Sequence, residues 1–208
     1  MAQANLLVQF LNLARERWLL SLLFLVLTLM VWFPSAWHDA LQYERDAILE
    51  QAHWWRLLSA NLVHTNWQHW LLNGGGLLLV IWICPIWMGR WQGMVLLFFL
   101  CLCVSVGLLV FTPDLWGYTG LSGALYGIMV VAMVLSPFYP LWMRLAAAGV
   151  ILGKIIWEQT PWYSDASVAA FIDGSVAQDS HLYGVLGGLL FLAVYFSGRS
   201  IFISSKNA

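Results

Sequence analysis

The chain has 208 residues, 62% of them hydrophobic and only 9% charged, with a formal net charge of −1. Soluble domains run at about 45–50% apolar and roughly 25% charged, and a chain of this size cannot hide so much apolar surface from water in one core. The balance excludes a freely soluble domain; the net charge says nothing about nucleic acid, and no basic patch interleaved with aromatics points to it.

What remains is an integral membrane protein. Its 14 tryptophans suit a chain whose amphipathic rings anchor at lipid interfaces. Cys84, Cys101 and Cys103 sit in or beside apolar runs and read as small core hydrophobes rather than as a disulfide framework.

A transmembrane helix needs about 20 apolar residues, and six stretches qualify in chain order. The first covers 18–37, a charge-free run without a small-residue cleavage site, so it reads as a retained span and not a signal peptide. The second, 60–83, carries His64, His69 and Asn73; the third is 91–111; the fourth, 119–136, carries Ser122 between Gly120 and Gly123. The fifth, 144–159, is the shortest and holds Lys154 and Glu158, and the sixth, 181–198, opens on His181. Segments 84–90 and 137–143 read as short turns on one side, and 38–56 and 160–180 as long loops on the other. The fold class expected is an all-α membrane protein, a six-helix bundle over 18–198. A short cytoplasmic segment, 1–17, precedes it and a cytoplasmic tail, 199–208, follows.

Charge orients the spans. If they alternate, Arg15, Arg17, Arg90, Arg144, Arg199 and Lys206 all fall on one side, while Asp39, Glu44, Asp46, Glu50, Asp114, Asp165, Asp173 and Asp179 fall on the other, where only Arg45 and Arg56 are basic. Lys and Arg favour the cytoplasmic face, so both termini are expected inside.

Polar side chains are expensive in hydrocarbon and tend to face a protein interior or a wet cavity. The even-numbered spans begin on the outward side, which brings His64, His69, Asn73, Ser122 and His181 to one depth. Gly184 and Gly188 share a helix face with His181 and would let the sixth helix approach a neighbour closely. If that neighbour is the Ser122 helix, His181 can take the serine proton and make the hydroxyl a nucleophile. His69 and Asn73, four residues apart on one face, could donate to an oxyanion together with the Ser122 N–H. Tyr126, one turn beyond Ser122, could stack on the imidazole. No acidic residue stands out as a third member, so the expectation is a Ser–His dyad, with no cofactor and no metal. Taken singly, each element has a plainer reading as helix packing; it is their conjunction on one membrane side that points to catalysis.

The same residues carry a resemblance. His64, His69 and Asn73 in the second span, Gly120-Leu121-Ser122-Gly123 in the fourth, and His181 with Gly184 and Gly188 in the sixth resemble the motifs of the rhomboid family of intramembrane serine proteases. Trp55-Arg56 is similar to a Trp-Arg pair in that family's first outward loop. The resemblance implies Ser122 as nucleophile, His181 as general base, His69 and Asn73 as the oxyanion hole, and His64 as a support for the loop around the site.

Lys154-Ile155-Ile156-Trp157-Glu158-Gln159 and the bare six-span core resemble more narrowly the rhombosortases. That likeness implies a bacterial inner-membrane enzyme opening to the periplasm, which cuts membrane-anchored exported proteins at glycine-rich C-terminal signals and passes the new terminus to a lipid amine. Lys154, Trp157 and Glu158 are candidates for recognising substrate or acceptor: by depth Glu158 lies near the outward level of Ser122, where it could reach the active-site cavity and recognise a cationic group, with Lys154 holding it ionised. Alternatively, Lys154 and Glu158, spaced i,i+4, are a structural pair that neutralises itself. Other readings are a general rhomboid protease of single-span substrates, a non-catalytic membrane binder, and a haem-binding electron carrier using the histidines. His38 and His53 read as ordinary interface residues.

Overall fold

A computed structural model describes residues 12 and 15–204; most of the expected N-terminal segment, and the tail beyond 204 with Lys206, lie outside the described residues. Six long helices carry the fold: α1 (Trp18–Met30), α5 (Trp67–Ile83), α6 (Trp91–Phe111), α7 (Ser122–Leu135), α8 (Leu141–Glu158) and α10 (Gln178–Ser204). Between α1 and α5 come the short helices α2 (Ser35–Leu41), α3 (Arg45–Leu49) and α4 (Arg56–Ser59), with the two-residue strand β1 (Tyr43–Glu44) between α2 and α3. A second strand, β2 (Gly117–Tyr118), precedes α7, and α9 (Ala166–Ile172) lies between α8 and α10.

Each long helix falls on one of the six apolar stretches; α6 matches its stretch, 91–111, at both ends, and the others have shifted ends. α1 stops at Met30 because the chain turns before Pro34, and 35–41 forms a separate helix rather than extending the first span. α5 starts at Trp67, not near 60. Asn66 caps it, its side-chain oxygen accepting the His69 N–H at 2.9 Å, so His64 lies in the preceding loop. α8 opens after Pro140 and ends before Pro161, the residue ahead of a proline being disfavoured in helical geometry. α10 runs on past 198 to Ser204.

By length and composition, two helical stretches among the described residues, Trp91–Phe111 and Gln178–Gly198, are apolar and long enough to cross a membrane. The outer faces of the bundle are aliphatic and aromatic, with Leu25, Trp32, Val110, Val150 and Val194 all exposed. The chain is an integral membrane protein.

Lipid tails are as apolar as leucine, so helices in a bilayer associate through close packing more than through a hydrophobic drive. The tightest seam here is α7 against α10. Gly184 rests on the backbone of Gly123, and Gly188 rests on that of Gly127, where no Cβ could stand. α6 is buried along much of its length, with Leu97, Leu100, Val104 and Leu108 inside.

The first loop is a built structure. Arg56, only 7% exposed, donates from Nη1 to the carbonyls of Asp39 (2.8 Å) and Gln42 (2.7 Å). Trp55 Nε1 donates to the Ala40 carbonyl at 3.2 Å. β1 pairs antiparallel with β2, Tyr43 opposite Tyr118 and Glu44 opposite Gly117, and the Gly120 N–H donates to the Ala60 carbonyl at 3.0 Å. These bonds tie the first loop to the segment leading into Ser122.

Candidate active site

Ser122 is the first residue of α7 and His181 stands in the first turn of α10. The glycine seam brings these two helix starts together, and His181 Nε2 lies 3.0 Å from Ser122 Oγ. Both face a cavity of about 520 Å³ that is also lined by His69, Asn73, Tyr126 and Lys154. Tyr126 packs against the imidazole with ring centroids 4.7 Å apart.

Behind the imidazole is a carboxylate. Glu158, the last residue of α8, places Oε2 at 2.9 Å from His181 Nδ1. The expectation that no acidic residue backs His181 is thereby corrected: α8 ends at the depth where α10 begins, and its last side chain turns inward. Glu158 Oε1 pairs with the Lys154 ammonium one turn below and lies 3.5 Å from the Tyr163 hydroxyl. The Glu158 side chain is 1% exposed, whereas that of Lys154 is 43% exposed. Lys154 Nζ also sits 4.7 Å from the centre of the Tyr126 ring.

These partners settle the protons. A carboxylate ion-paired with an ammonium only accepts, so His181 Nδ1 carries its hydrogen toward Glu158. In a neutral imidazole, Nε2 is then a bare acceptor for the Ser122 hydroxyl. That is the arrangement in which a serine can lose its proton to a base as it attacks.

The opposite wall carries the side-chain nitrogens of His69 and Asn73. His69 and Asn73 face the turn at Gly120, whose φ of +113° is open mainly to glycine. A Cβ there would stand 2.5 Å from His69 Nε2 and 3.8 Å from Asn73 Nδ2. His69 Nδ1 lies 3.2 Å from Thr65 Oγ1, which is itself 3.2 Å from Thr119 Oγ1. Asn73 Nδ2 donates to the His69 carbonyl at 3.0 Å.

His64 is buried edge-on against the rings of His69 (5.2 Å) and Trp70 (5.3 Å), under the loop that carries Thr65. Gly123 and Gly184 belong to the packing seam. Trp157 is exposed and lies off the cavity wall.

Besides Glu158 as a partner of His181, sequence reasoning missed Thr65, Asn66 and Thr119. Thr65 could have been found, since it stands four residues before His69; Thr119 meets it only through the fold. Asn66 also reaches across to α9, donating to the Ile172 carbonyl.

This fold and site define a rhomboid-type membrane protein. The rhomboid domain matches residues 51–198, and the chain belongs to the rhomboid family, whose members are generally intramembrane serine proteases acting on membrane-protein substrates. Comparison with curated proteins finds no match to the chain.

Proposed function

We propose that this protein is an intramembrane serine endopeptidase with Ser122 as nucleophile and His181 as general base. The observation that carries the reading is the 3.0 Å approach of Ser122 Oγ to His181 Nε2 at the edge of a cavity whose far wall holds His69 and Asn73. Ser122 Oγ attacks the scissile carbonyl while its proton passes to His181 Nε2, which then delivers it to the leaving amine. His69 Nε2–H, Asn73 Nδ2–H and the Ser122 backbone N–H stabilise the oxyanion. For His69 this requires Nε2 to carry the proton, which a Thr65 hydroxyl donating to Nδ1 favours.

The charge pattern supports six spans with both termini cytoplasmic and the cavity opening to the opposite face. His64 supports the loop around the site, and the substrates are membrane-anchored proteins. Cleavage of a single-span reporter by the purified protein tests the reading. It requires turnover that Ser122→Ala abolishes without loss of folded protein; near-normal turnover by Ser122→Ala would refute it.

Within the family, the stretch from Lys154 to Gln159 supports a rhombosortase. In that reading the substrates are exported proteins of a bacterial inner membrane, carrying glycine-rich C-terminal anchors, and a lipid amine accepts the acyl group. The mass of the released product separates the outcomes: a free carboxylate means that water is the acceptor, and an amide-linked head group means that a lipid amine is.

A further inference from the structure

We propose that Glu158 and Lys154 are positioning residues: Glu158 makes the pair a Ser122–His181–Glu158 line, and Lys154 fixes which atom of side chain 158 meets the imidazole. This rests on the serine-protease reading above. It is carried by the two oxygens of one buried carboxylate having different partners, His181 Nδ1 at 2.9 Å on Oε2 and the Lys154 ammonium on Oε1. Tyr126 closes the circuit, its ring 4.7 Å from both the imidazole centroid and the Lys154 nitrogen.

The charges explain why all three groups are needed together. A lone carboxylate in an apolar surround is costly, and with Lys154 beside it the resting cluster is neutral. When Ser122 Oγ bonds to the substrate carbonyl carbon, the hydroxyl proton moves to Nε2. The new imidazolium then lies against Glu158, which stabilises it and takes no proton itself. As the carbon–nitrogen bond breaks, Nε2 gives that proton to the leaving amine. An attacking water or amine later loses its proton to the same nitrogen, and Ser122 recovers one as the acyl bond breaks. Glu158 and Lys154 end each cycle as they began it.

The arrangement has a consequence that simple charge neutralisation does not. In Glu158→Gln the side chain has one oxygen and one NH2. The Lys154 ammonium can only donate, so it claims the oxygen and turns the NH2 toward His181 Nδ1. Nδ1 must then accept, which moves the imidazole hydrogen to Nε2, where it cannot take the Ser122 proton. The wrong tautomer in a serine-protease triad costs about 10⁴ in kcat. In the double variant Lys154→Met/Glu158→Gln nothing holds the amide oxygen. It can turn to accept from Nδ1–H, while the Tyr163 hydroxyl accommodates either orientation.

The experiment is steady-state cleavage of a single-span reporter by wild type, Glu158→Gln, Lys154→Met and the double variant. It is paired with ¹⁵N spectra of imidazole-labelled protein, in which His181 is assigned by comparison with His181→Ala. The expected result is a fall of about 10³–10⁴-fold in kcat for Glu158→Gln at little changed KM. The double variant, although it carries one more substitution, should regain at least about tenfold. The spectra should show His181 protonated at Nδ1 in the wild type, at Nε2 in Glu158→Gln, and at Nδ1 again in the double variant. A double variant no better than Glu158→Gln, or an unchanged tautomer in Glu158→Gln, would overturn the proposal. Should Glu158→Gln fail to fold, Glu158→Asp retracts the carboxylate by one methylene with its charge kept. Its kcat should fall by about 10²-fold with KM held; wild-type kcat there would equally overturn the proposal. A wild-type protein that cleaves no substrate would defeat the protease reading instead, and the tautomer spectra would still test the line.

Discussion

Gly184 of α10 lies directly against the backbone of Gly123 of α7, one residue from Ser122 and three from His181. A methyl group at 184 would meet main chain, which cannot swing aside as the end of a flexible side chain can. Gly184→Ala therefore has to push α7 and α10 apart at the level where the nucleophile meets its base. Overpacking of this kind costs about 1–3 kcal/mol. The expected outcome is a lower unfolding temperature in detergent together with a large loss of turnover. Gly149→Ala on α8, which has open space around it, should leave both unchanged or slightly improved.

Asn73→Ala removes one oxyanion donor. Losing such a donor typically costs about 10²–10³ in kcat, or roughly 2.7–4 kcal/mol. The fall should appear in kcat with KM nearly constant, because the donor acts on charge that develops only in the transition state. His69→Ala should be similar or worse. Equal kcat in both variants and wild type would mean that α5 only packs.

Thr65→Val tests how the His69 proton is placed. Valine keeps the shape of threonine and removes the hydroxyl that lies 3.2 Å from His69 Nδ1. Turnover should fall by less than in His69→Ala, with unfolding temperature little changed. Turnover equal to wild type would mean that this hydroxyl does not orient the ring.

Much of the fold was legible because hydrocarbon allows few structures. Apolar runs, some of them carrying polar groups, locate all six long helices, and the expected sidedness of Arg and Lys would put Ser122, His69 and His181 at one depth. The ends were less legible where local chemistry decides them: Pro34 cuts the first run short, and the Asn66 cap delays α5 to Trp67. Glu158 was half-read. Its depth and its i,i+4 partner Lys154 follow from spacing, but one partner already neutralises the charge, so nothing in the sequence demands a second. Which way the end of α8 turns depends on its packing against α7 and α10, and that rotation is what brings Oε2 to His181. The level argument already brings Glu158 to the depth of Ser122 and into the cavity; what it leaves open is that the imidazole of His181 is the group Glu158 meets there.

Arg56 predicts the behaviour of the first loop. Hydrogen bonds to a charged group are worth about 1.5–3 kcal/mol, and Arg56 makes two, to the carbonyls of Asp39 and Gln42. Arg56→Ala should lower the unfolding temperature and the turnover together, since this loop pairs through β1 with the segment entering Ser122. Arg56→Lys should recover only part of the loss, because a single ammonium does not reproduce the guanidinium fork.

Reporter fusions test the membrane arrangement. Those placed after Arg90 and Arg144 should read cytoplasmic, and those within 160–177 should read outward. An outward signal at Arg90 would break the shared depth of the polar groups.

The most direct measurement is covalent capture of the nucleophile. A fluorophosphonate added to the purified protein in detergent reacts only with a serine whose proton has somewhere to go. Peptide mapping should find one adduct, on Ser122, formed by the wild type and lost in both Ser122→Ala and His181→Ala while these variants keep the wild-type unfolding profile. An adduct on Ser122 that forms as fast in His181→Ala as in the wild type would contradict the Ser122–His181 pair as the catalytic unit.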